Sequence, residues 1–330
     1  MYMVTSHSVE QALLRDKKVA IIGVGALGSV IAQHLVRLGV GKLRLIDRDI
    51  VEMSNLGRQV LFTEDDALNQ LPKAVAAKSR LQAINSSVDI TACVEDANPH
   101  TIEMLVQDCD LIMDGTDNLR TRFLINDVSV KFNIPWIYGG AIASRGVVGC
   151  FIPSRTPCLR CLFHEPDELH GQTCDTIGVL GPLVHVVGSC QALIAYQLLT
   201  GHIEACQPVL KHIDLWHHDV DELPRVFNPQ CPCCQNKEYH FLEQVAKEPV
   251  IAQLCGRNSI QVTPQQPVHV PFETWINRWK QLGEVKQTPF YVQLYYHGYR
   301  IVIFKDGRLL LEGLSDPEQA KQLYAKLIGT

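Results

Sequence analysis

The segment from Lys18 to Asp47 constrains this chain more than any other. A buried-strand pattern, VAIIG, runs into Gly23-Val-Gly-Ala-Leu-Gly28, an amphipathic stretch follows from Leu27 to Leu38, and a second apolar run, LRLID, ends at Asp47. Glycines at that spacing permit a tight turn and let a phosphate approach the backbone N–H groups at a helix start. A carboxylate at the end of the second strand can accept hydrogen bonds from ribose hydroxyls. The unit is β-α-β and predicts an adenosine-containing ligand. On these residues alone NAD stands ahead of ATP, because dinucleotide enzymes dominate the fingerprint.

Downstream, helical patterning resumes at Pro72 (PKAVAAKSRLQAIN), with a strand near Val88, a helix near Thr101, the strand LIMDG ending at Gly115 and a helix from Leu119 to Phe132. This alternation predicts an α/β fold, Rossmann-like and doubly wound, with a mostly parallel sheet and helices on both faces. PWIYGGA and GVVGCFI read as two β-like runs, and a long apolar helix, broken near Pro182, is predicted over Val184 to Leu199. The chain turns irregular from His217 through Asn236. Near Val250 a separate pattern begins: a helix over Phe272 to Leu282, a β-meander through VQLYYHG and YRIVIFKDGRLLLEG with a turn at Asp306-Gly307, and a closing helix from Pro317 to Ile328. The expected organisation is an ATP-binding domain over 1–245 and a small α+β domain over 246–330.

Thirty Lys plus Arg against thirty-five Asp plus Glu, a formal charge of −5 on 330 residues, supply no basic stripe of the kind nucleic acid needs. Met1 to Asp16 has no apolar core of signal-peptide length, and no uncharged apolar run is read as reaching the ~18 residues of a membrane span. A cytoplasmic protein that binds neither nucleic acid nor membrane is expected.

Residues beyond the glycine loop shift the reading from NAD towards ATP. Ser54-Asn-Leu-Gly-Arg-Gln59 follows the second strand, and Lys73 opens the next helix. Arg58 and Lys73 would place two cations, and Asn55 an amide, near a polyphosphate, which suits a reaction whose leaving group is pyrophosphate. Taken singly, each cation also reads as an ordinary solvated charge. In Gly115-Thr-Asp-Asn118, Asp117 projects from a strand's carboxyl end, where a carboxylate can hold the Mg2+ that ATP brings; the bland alternative is that Asp117 or Asn118 caps the following helix. Gly139-Gly140 reads either as simple turn glycines or as room for a substrate's glycine tail. Cys158-Leu-Arg-Cys161 and Cys231-Pro-Cys-Cys234 form two CxxC knuckles whose four thiolates suit a tetrahedral structural Zn2+, with Cys234 a better ligand than Cys233. Cys174 lies in a polar stretch, EPDELHGQTCDTIG, where a thiol is accessible and therefore reactive. His217-His218 reads as a solvated turn, and the residues after Cys255-Gly-Arg-Asn-Ser259 are too few for a fused sulfurtransferase.

GVGALG, LIDRDIVEMSNLGRQ, the LPK lysine, GTDN and the paired CxxC motifs together resemble the ThiF/MoeB family, relatives of ubiquitin-activating enzymes, over about Lys18 to Asn236. The resemblance implies ATP-dependent adenylation of the C-terminal glycine of a ubiquitin-like sulfur-carrier protein ending in Gly-Gly. It also implies a homodimer and a separate sulfur donor protein. Carried over, Gly23, Gly25, Ala26 and Gly28 form the phosphate loop, Asp47 meets the ribose, Ser54, Asn55, Arg58 and Lys73 the phosphates and Asp117 the Mg2+, with Asn118 among the nucleotide-binding residues. Cys158, Cys161, Cys231 and Cys234 would hold zinc, and Cys174 is the candidate acceptor of the activated carrier. Met1 to Asp16 departs from the family in lacking its Arg-rich segment, so the expectation is either that the chain start is truncated or misassigned or that another cation serves there. The C-terminal appendage favours the thiazole branch over the molybdopterin branch. A relative that adenylates a tRNA base fits the acidic balance less well. A non-catalytic carrier-binding partner would have no reason to keep Arg58, Lys73 and Asp117.

Overall fold

The computed structural model describes residues 12–163, 178–206, 209–244, 250–253, 259–265 and 271–328. Two compact units divide the chain, Met1–Gln244 and Val245–Thr330. Unit 1 contains β1 (Lys18–Ile22), α1 (Ala26–Leu38), β2 (Lys42–Ile46), α2 (Lys73–Ile84), β3 (Asp89–Cys93), β4 (Leu111–Asp114), α3 (Leu119–Phe132), β5 (Trp136–Ile142), β6 (Arg145–Phe151), α4 (Gly181–Leu199), β7 (Val209–Asp214) and β8 (Asp219–Pro224). They build one sheet in the order β3-β2-β1-β4-β5-β6-β7-β8. The first five are parallel, and the last three extend the sheet antiparallel.

The central strand β1 buries Val19, Ala20, Ile21 and Ile22, which is why it reads as a continuous apolar run rather than an alternation. Helix α1 turns Leu27, Val30, Ile31, Leu35 and Val36 inward and stops at Gly39, whose φ of 82° is the left-handed conformation that a C-terminal cap favours. Side chains of α1, α2 and α4 fill the core on one face of the sheet; those of α3, Ile102–Val106 and His240–Glu243 fill the other. The close approach of α4 to α1 depends on Gly188, because a Cβ there would lie 2.8 Å from the Val30 Cβ.

Three expectations are corrected. Helix α4 is not broken near Pro182 but begins there, with proline in the first turn where its missing N–H has no intrahelical partner to lose. The same helix carries no formally charged residue over 19 residues and is long and apolar enough to cross a membrane, contrary to the reading of the composition. Here its Leu183, Val184, Val187, Ala192 and Ala195 are instead buried in the core of unit 1. Finally, β8 lies inside the stretch read as irregular; all six of its residues are exposed at the sheet edge, so no buried face imposed an alternating pattern.

Unit 2 contains β9 (Val250–Gln253), β10 (Ser259–Thr263), α5 (Phe272–Trp279), β11 (Glu284–Gln287), β12 (Tyr291–Tyr296), β13 (Tyr299–Phe304), β14 (Leu309–Glu312) and α6 (Pro317–Ile328). Its sheet is antiparallel in the order β11-β12-β13-β14-β10-β9. His297 and Gly298 join β12 to β13 with φ of 49° and 85°, the two positive values a tight hairpin turn demands. Val292, Leu294, Ile301, Ile303, Leu309 and Leu311 share a core with Trp275 and Trp279 of α5 and Leu327 of α6.

Candidate active site and cysteine cluster

Three glycines interlock where β1 and β4 end. A Cβ on Gly28 would lie 2.0 Å from the Gly23 carbonyl oxygen, one on Gly115 2.2 Å from the same atom, and Gly23 itself has φ +83°. Packing therefore requires glycine at all three. Gly25 differs: a Cβ there would meet only Gln59 Nε2, at 3.7 Å. It precedes Ala26 at the start of α1, whose first turn has neither a side-chain cap nor an acidic residue, so the helix N-terminus is left open to an anion.

Asp47 is buried at the end of β2, and its two carboxylate oxygens accept from Val24 N at 2.7 Å and Asp49 N at 2.8 Å. Burial raises its pKa, against which Lys73 pulls down while Asp49 adds to the rise. The carboxylate thus ties β2 to the glycine loop, and its remaining lone pairs are what a ribose could use. Lys73, the first residue of α2, is tied to Asp49 by both ends: its backbone N donates to the Asp49 carbonyl at 2.9 Å and its Nζ to Asp49 Oδ2 at 2.9 Å. Arg48 pairs with Asp96 at 2.9 Å. Burial works against its charge, but Asp96, Asp49 and Asp117 together raise its pKa.

Ser54 and Asn55 form a short 3-10 turn, Met53–Asn55, in which Asn55 is buried and its Oδ1 accepts from Glu52 N at 3.3 Å. Ser54 is exposed, and its carbonyl accepts from Arg58 Nη1 at 3.2 Å. The choice of cap for α3 is resolved. Asn118 Oδ1 accepts from Thr121 N at 2.9 Å, which leaves the exposed carboxylate of Asp117 outside the cap. Gly139 and Gly140 are not turn glycines; both lie inside β5. A Cβ on Gly139 would lie 2.3 Å from the Gln191 side chain, whereas the nearest atom to one on Gly140 would be the Tyr138 hydroxyl, at 3.2 Å.

Glycine loop, Lys73 and Asp117 thus share the carboxyl edge of the parallel strands, the edge at which open α/β sheets bind ligands. Arg48, Asp49, Asp114, Gln59 and Arg122 also belong here and were not anticipated. A signal existed for Asp49, which stands two residues after Asp47 where the strand ends, and for Arg122, one helical turn beyond Asn118.

In the segments that follow β6 and β8 in the chain, the Sγ atoms of Cys158, Cys161, Cys231 and Cys234 all lie within 4.8 Å of one another. Three edges measure 4.0 Å (Cys158–Cys161), 3.6 Å (Cys158–Cys231) and 3.5 Å (Cys161–Cys234). Zn–S bonds of about 2.3 Å in a tetrahedron place sulfurs roughly 3.8 Å apart, so the set fits that ion. Burial and the neighbouring sulfurs of Cys161 and Cys231 push the Cys234 thiol up to about 12, so the group is neutral unless a cation displaces its protons. Cys233 stays outside the cluster, fully buried, and accepts from Asn126 Nδ2 at 3.3 Å. The same Asn126 accepts from Leu159 N at 2.7 Å, and Asp127 accepts from Phe241 N at 2.8 Å, which anchors the knuckles to α3. Cys174 lies outside the described residues, as do Cys255 and the first eleven residues. His217 is exposed and bonds Asp214 at 3.0 Å.

Among solved structures, the Escherichia coli MccB crystal structure superposes with a TM-score of 0.62 over 71% of this chain and 69% of that one, at 23% identity, a likeness of fold. The Bacillus subtilis sulfur carrier protein ThiS adenylyltransferase is 40% identical over 97% of this chain and 95% of its own length. The Escherichia coli molybdopterin-synthase adenylyltransferase is 35% identical over 68% of this chain and 89% of its own. The sequence profile of the ThiF family matches residues 3–233, a span that holds the glycine loop, Lys73, Asp117 and three of the four clustered cysteines. By that match and by the two relatives, this chain belongs to the ThiF family.

Proposed function

We propose that this protein adenylates the C-terminal glycine carboxylate of a ubiquitin-like sulfur-carrier protein with ATP and Mg2+, releasing pyrophosphate. The observation that carries the reading is the unfinished polar edge of the sheet: an uncapped helix start beside Gly25, a lysine parked on Asp49, and an exposed Asp117 beside the asparagine that caps α3. A dehydrogenase has no use for that set. The carrier's terminal carboxylate, with a pKa near ~3.5, is ionised at neutral pH, so it attacks the α-phosphorus without a general base. One carboxylate oxygen bonds to that phosphorus as the bond to the pyrophosphate oxygen breaks.

Gly25, Ala26 and Gly28 present backbone to the phosphates, and Asp47 orients the ribose. Ser54, Asn55, Arg58 and Lys73 neutralise and orient the phosphate chain, with Lys73 exchanging Asp49 for phosphate. Asp117 would hold the Mg2+, which would offset phosphate charge, and Asn118 beside it would line the nucleotide site. Gly140, which lies against the Tyr138 ring, is where the terminal glycine would pass. Cys158, Cys161, Cys231 and Cys234 hold one structural Zn2+, which requires reduced thiols and suits the cytoplasm. Cys174 is the candidate thiol for a carrier adduct; otherwise a sulfur donor protein attacks the adenylate.

The carrier is of the thiazole type. The Bacillus subtilis relative that acts on ThiS matches through unit 2, while the molybdopterin relative matches 68% of the chain. A homodimer is part of the reading: α4 leaves Pro182, His185, Ser189 and Leu193 exposed along one face. The test is ATP–pyrophosphate exchange with purified Gly-Gly-ended carriers. Exchange with a thiazole-type carrier supports the reading, and exchange with the molybdopterin carrier alone would move it to the other branch. NAD(H) binding without exchange against any carrier would end it.

A further inference from the structure

Between β4 and β5 the hydrogen-bonded ladder is short. Its register covers only Ile112 with Trp136 and Met113 with Ile137. Past that point the two strands carry the segments that matter most to the reaction proposed above, Thr116-Asp117 after β4 and Gly139-Gly140 within β5, and side chains join them instead of a ladder. Near the start of α3, Arg122 donates from Nε to Asp114 Oδ2 at 2.9 Å and from Nη2 to the carbonyl oxygens of Thr116 and Gly139, each at 2.7 Å. Its guanidinium carbon stands 4.8 Å from the Tyr138 ring centroid. The wholly buried Asp114 accepts in turn from Thr116 N at 2.9 Å, Thr116 Oγ1 at 2.6 Å and Gly139 N at 3.4 Å. Gln191 of α4 spans the same gap, donating from Nε2 to the carbonyls of Asp114 at 2.8 Å and Ile137 at 3.4 Å.

A buried ion pair is weak evidence for stability, since desolvation offsets most of its attraction. It is strong evidence for position when one planar cation reaches two carbonyls on different strands, because only a guanidinium has donors so arranged. We propose that Arg122, acting through Asp114, is a positioning residue for adenylation. It locks the Asp117 segment to the Gly139-Gly140 segment, so that the metal–phosphate end and the carboxylate end of the reaction stay at one spacing. The inference rests on the roles proposed above for Asp117 and Gly140. An ammonium in place of the guanidinium has one nitrogen where Arg122 uses two, so it cannot keep the Nε bond to Asp114 and the Nη2 bonds to both carbonyls in their present places.

The test compares wild type with R122K and T116V, the latter removing only the hydroxyl bond on the Asp117 side. In R122K the Mg2+ half-saturation of exchange and the KM for the carrier rise together, each by about 10-fold, as expected for a slip of around an ångström between two reacting ends. T116V raises the Mg2+ half-saturation and leaves the carrier KM at the wild-type value. Amide hydrogen exchange supplies a readout that needs no activity: the Thr116 and Gly139 amides both speed up in R122K. Unchanged amides in R122K would overturn the clamp, as would a fall in rate that merely follows the amount of folded protein. If R122K does not fold, T116V decides alone, and wild-type Mg2+ dependence in it refutes the proposal. A wild-type protein without exchange against every carrier would defeat the adenylation reading, whereas unmoved amides defeat only the clamp.

Discussion

Around the glycine loop the chain leaves a helix start and a carboxylate open to a ligand, while around the four cysteines it buries its polar groups among thiols and aromatic rings. Helix α1 starts without a side-chain cap, a Cβ on Gly25 would meet Gln59 only at ordinary contact distance, and Asp117 is exposed. At the cluster, Cys231 and Cys233 are fully buried, Asn126 bonds both knuckles, and Arg160 sits over the rings of Phe123 and Phe241 at 5.9 and 5.3 Å. An uncapped helix start and an exposed carboxylate are accessible to an anion or a cation, whereas buried thiols are not, so the contrast separates chemistry from scaffold. One helix serves both, since α3 carries Asn118 and Arg122 at its start and Asn126 and Asp127 in its middle.

The comparison is broken most severely at the cysteines. Cys231→Ser removes one of the four clustered thiols proposed to hold zinc, and with structural zinc contributing about 10–16 kcal/mol of folding free energy in small domains, a large part of the stability of unit 1 is expected to go. Zinc content and thermal unfolding check this. Cys233→Ser costs only about 1 kcal/mol by loss of the Asn126 contact, and the reverse order would show that Cys233 is the ligand. At the open end, Asp117→Ala is expected to lower carrier-dependent exchange by roughly 100-fold or more, with an unfolding midpoint like that of wild type. A wild-type rate would make Asp117 a bystander.

The glycines sharpen the same contrast within one loop. Gly28→Ala forces a Cβ onto the Gly23 carbonyl and should destabilise by about 3 kcal/mol. Gly25→Ala folds normally and loses ATP affinity, to be read by unfolding and nucleotide titration; equal stability losses in both would show that Gly25 too is held by packing. The smallest effect lies at the rim. Asp214 is held down to about 2, chiefly by the hydrogen bond from His217 with Arg145 adding to it. A carboxylate with a depressed pKa stabilises above its unfolded value of about 3.9 and loses that contribution as pH falls towards 2. His217→Ala should therefore flatten the acid limb of the unfolding midpoint between those values. An unaltered limb would assign acid sensitivity to other groups.

Residues whose role follows from local backbone chemistry were legible. The glycine loop, the strand ending at Asp47 and the two CxxC knuckles each occupy a short stretch in which spacing alone dictates geometry. Strand β8 was not, because a fully exposed edge strand buries no face and leaves no alternation. The membrane-length character of α4 escaped for a related reason, since its neutral polar residues interrupt an otherwise apolar run. Gly139 was misread because its need for glycine comes from Gln191, a residue far along the chain.

The amino-acid order was enough to establish a mostly parallel α/β sheet with a glycine-rich turn after its first strand, the family resemblance, and four cysteines in two knuckles, because period, glycine conformation and cysteine spacing act within a few residues. Folding alone settled that Asn118 rather than Asp117 caps α3, that Cys233 turns to Asn126 while Cys234 joins the cluster, and that Asp49 holds Lys73. It also settled that Arg122 bridges two strands beyond the end of their ladder. Each of these is a competition among nearby donors and acceptors for the same partner. The outcome depends on distances that exist only after segments far apart in the chain have packed together.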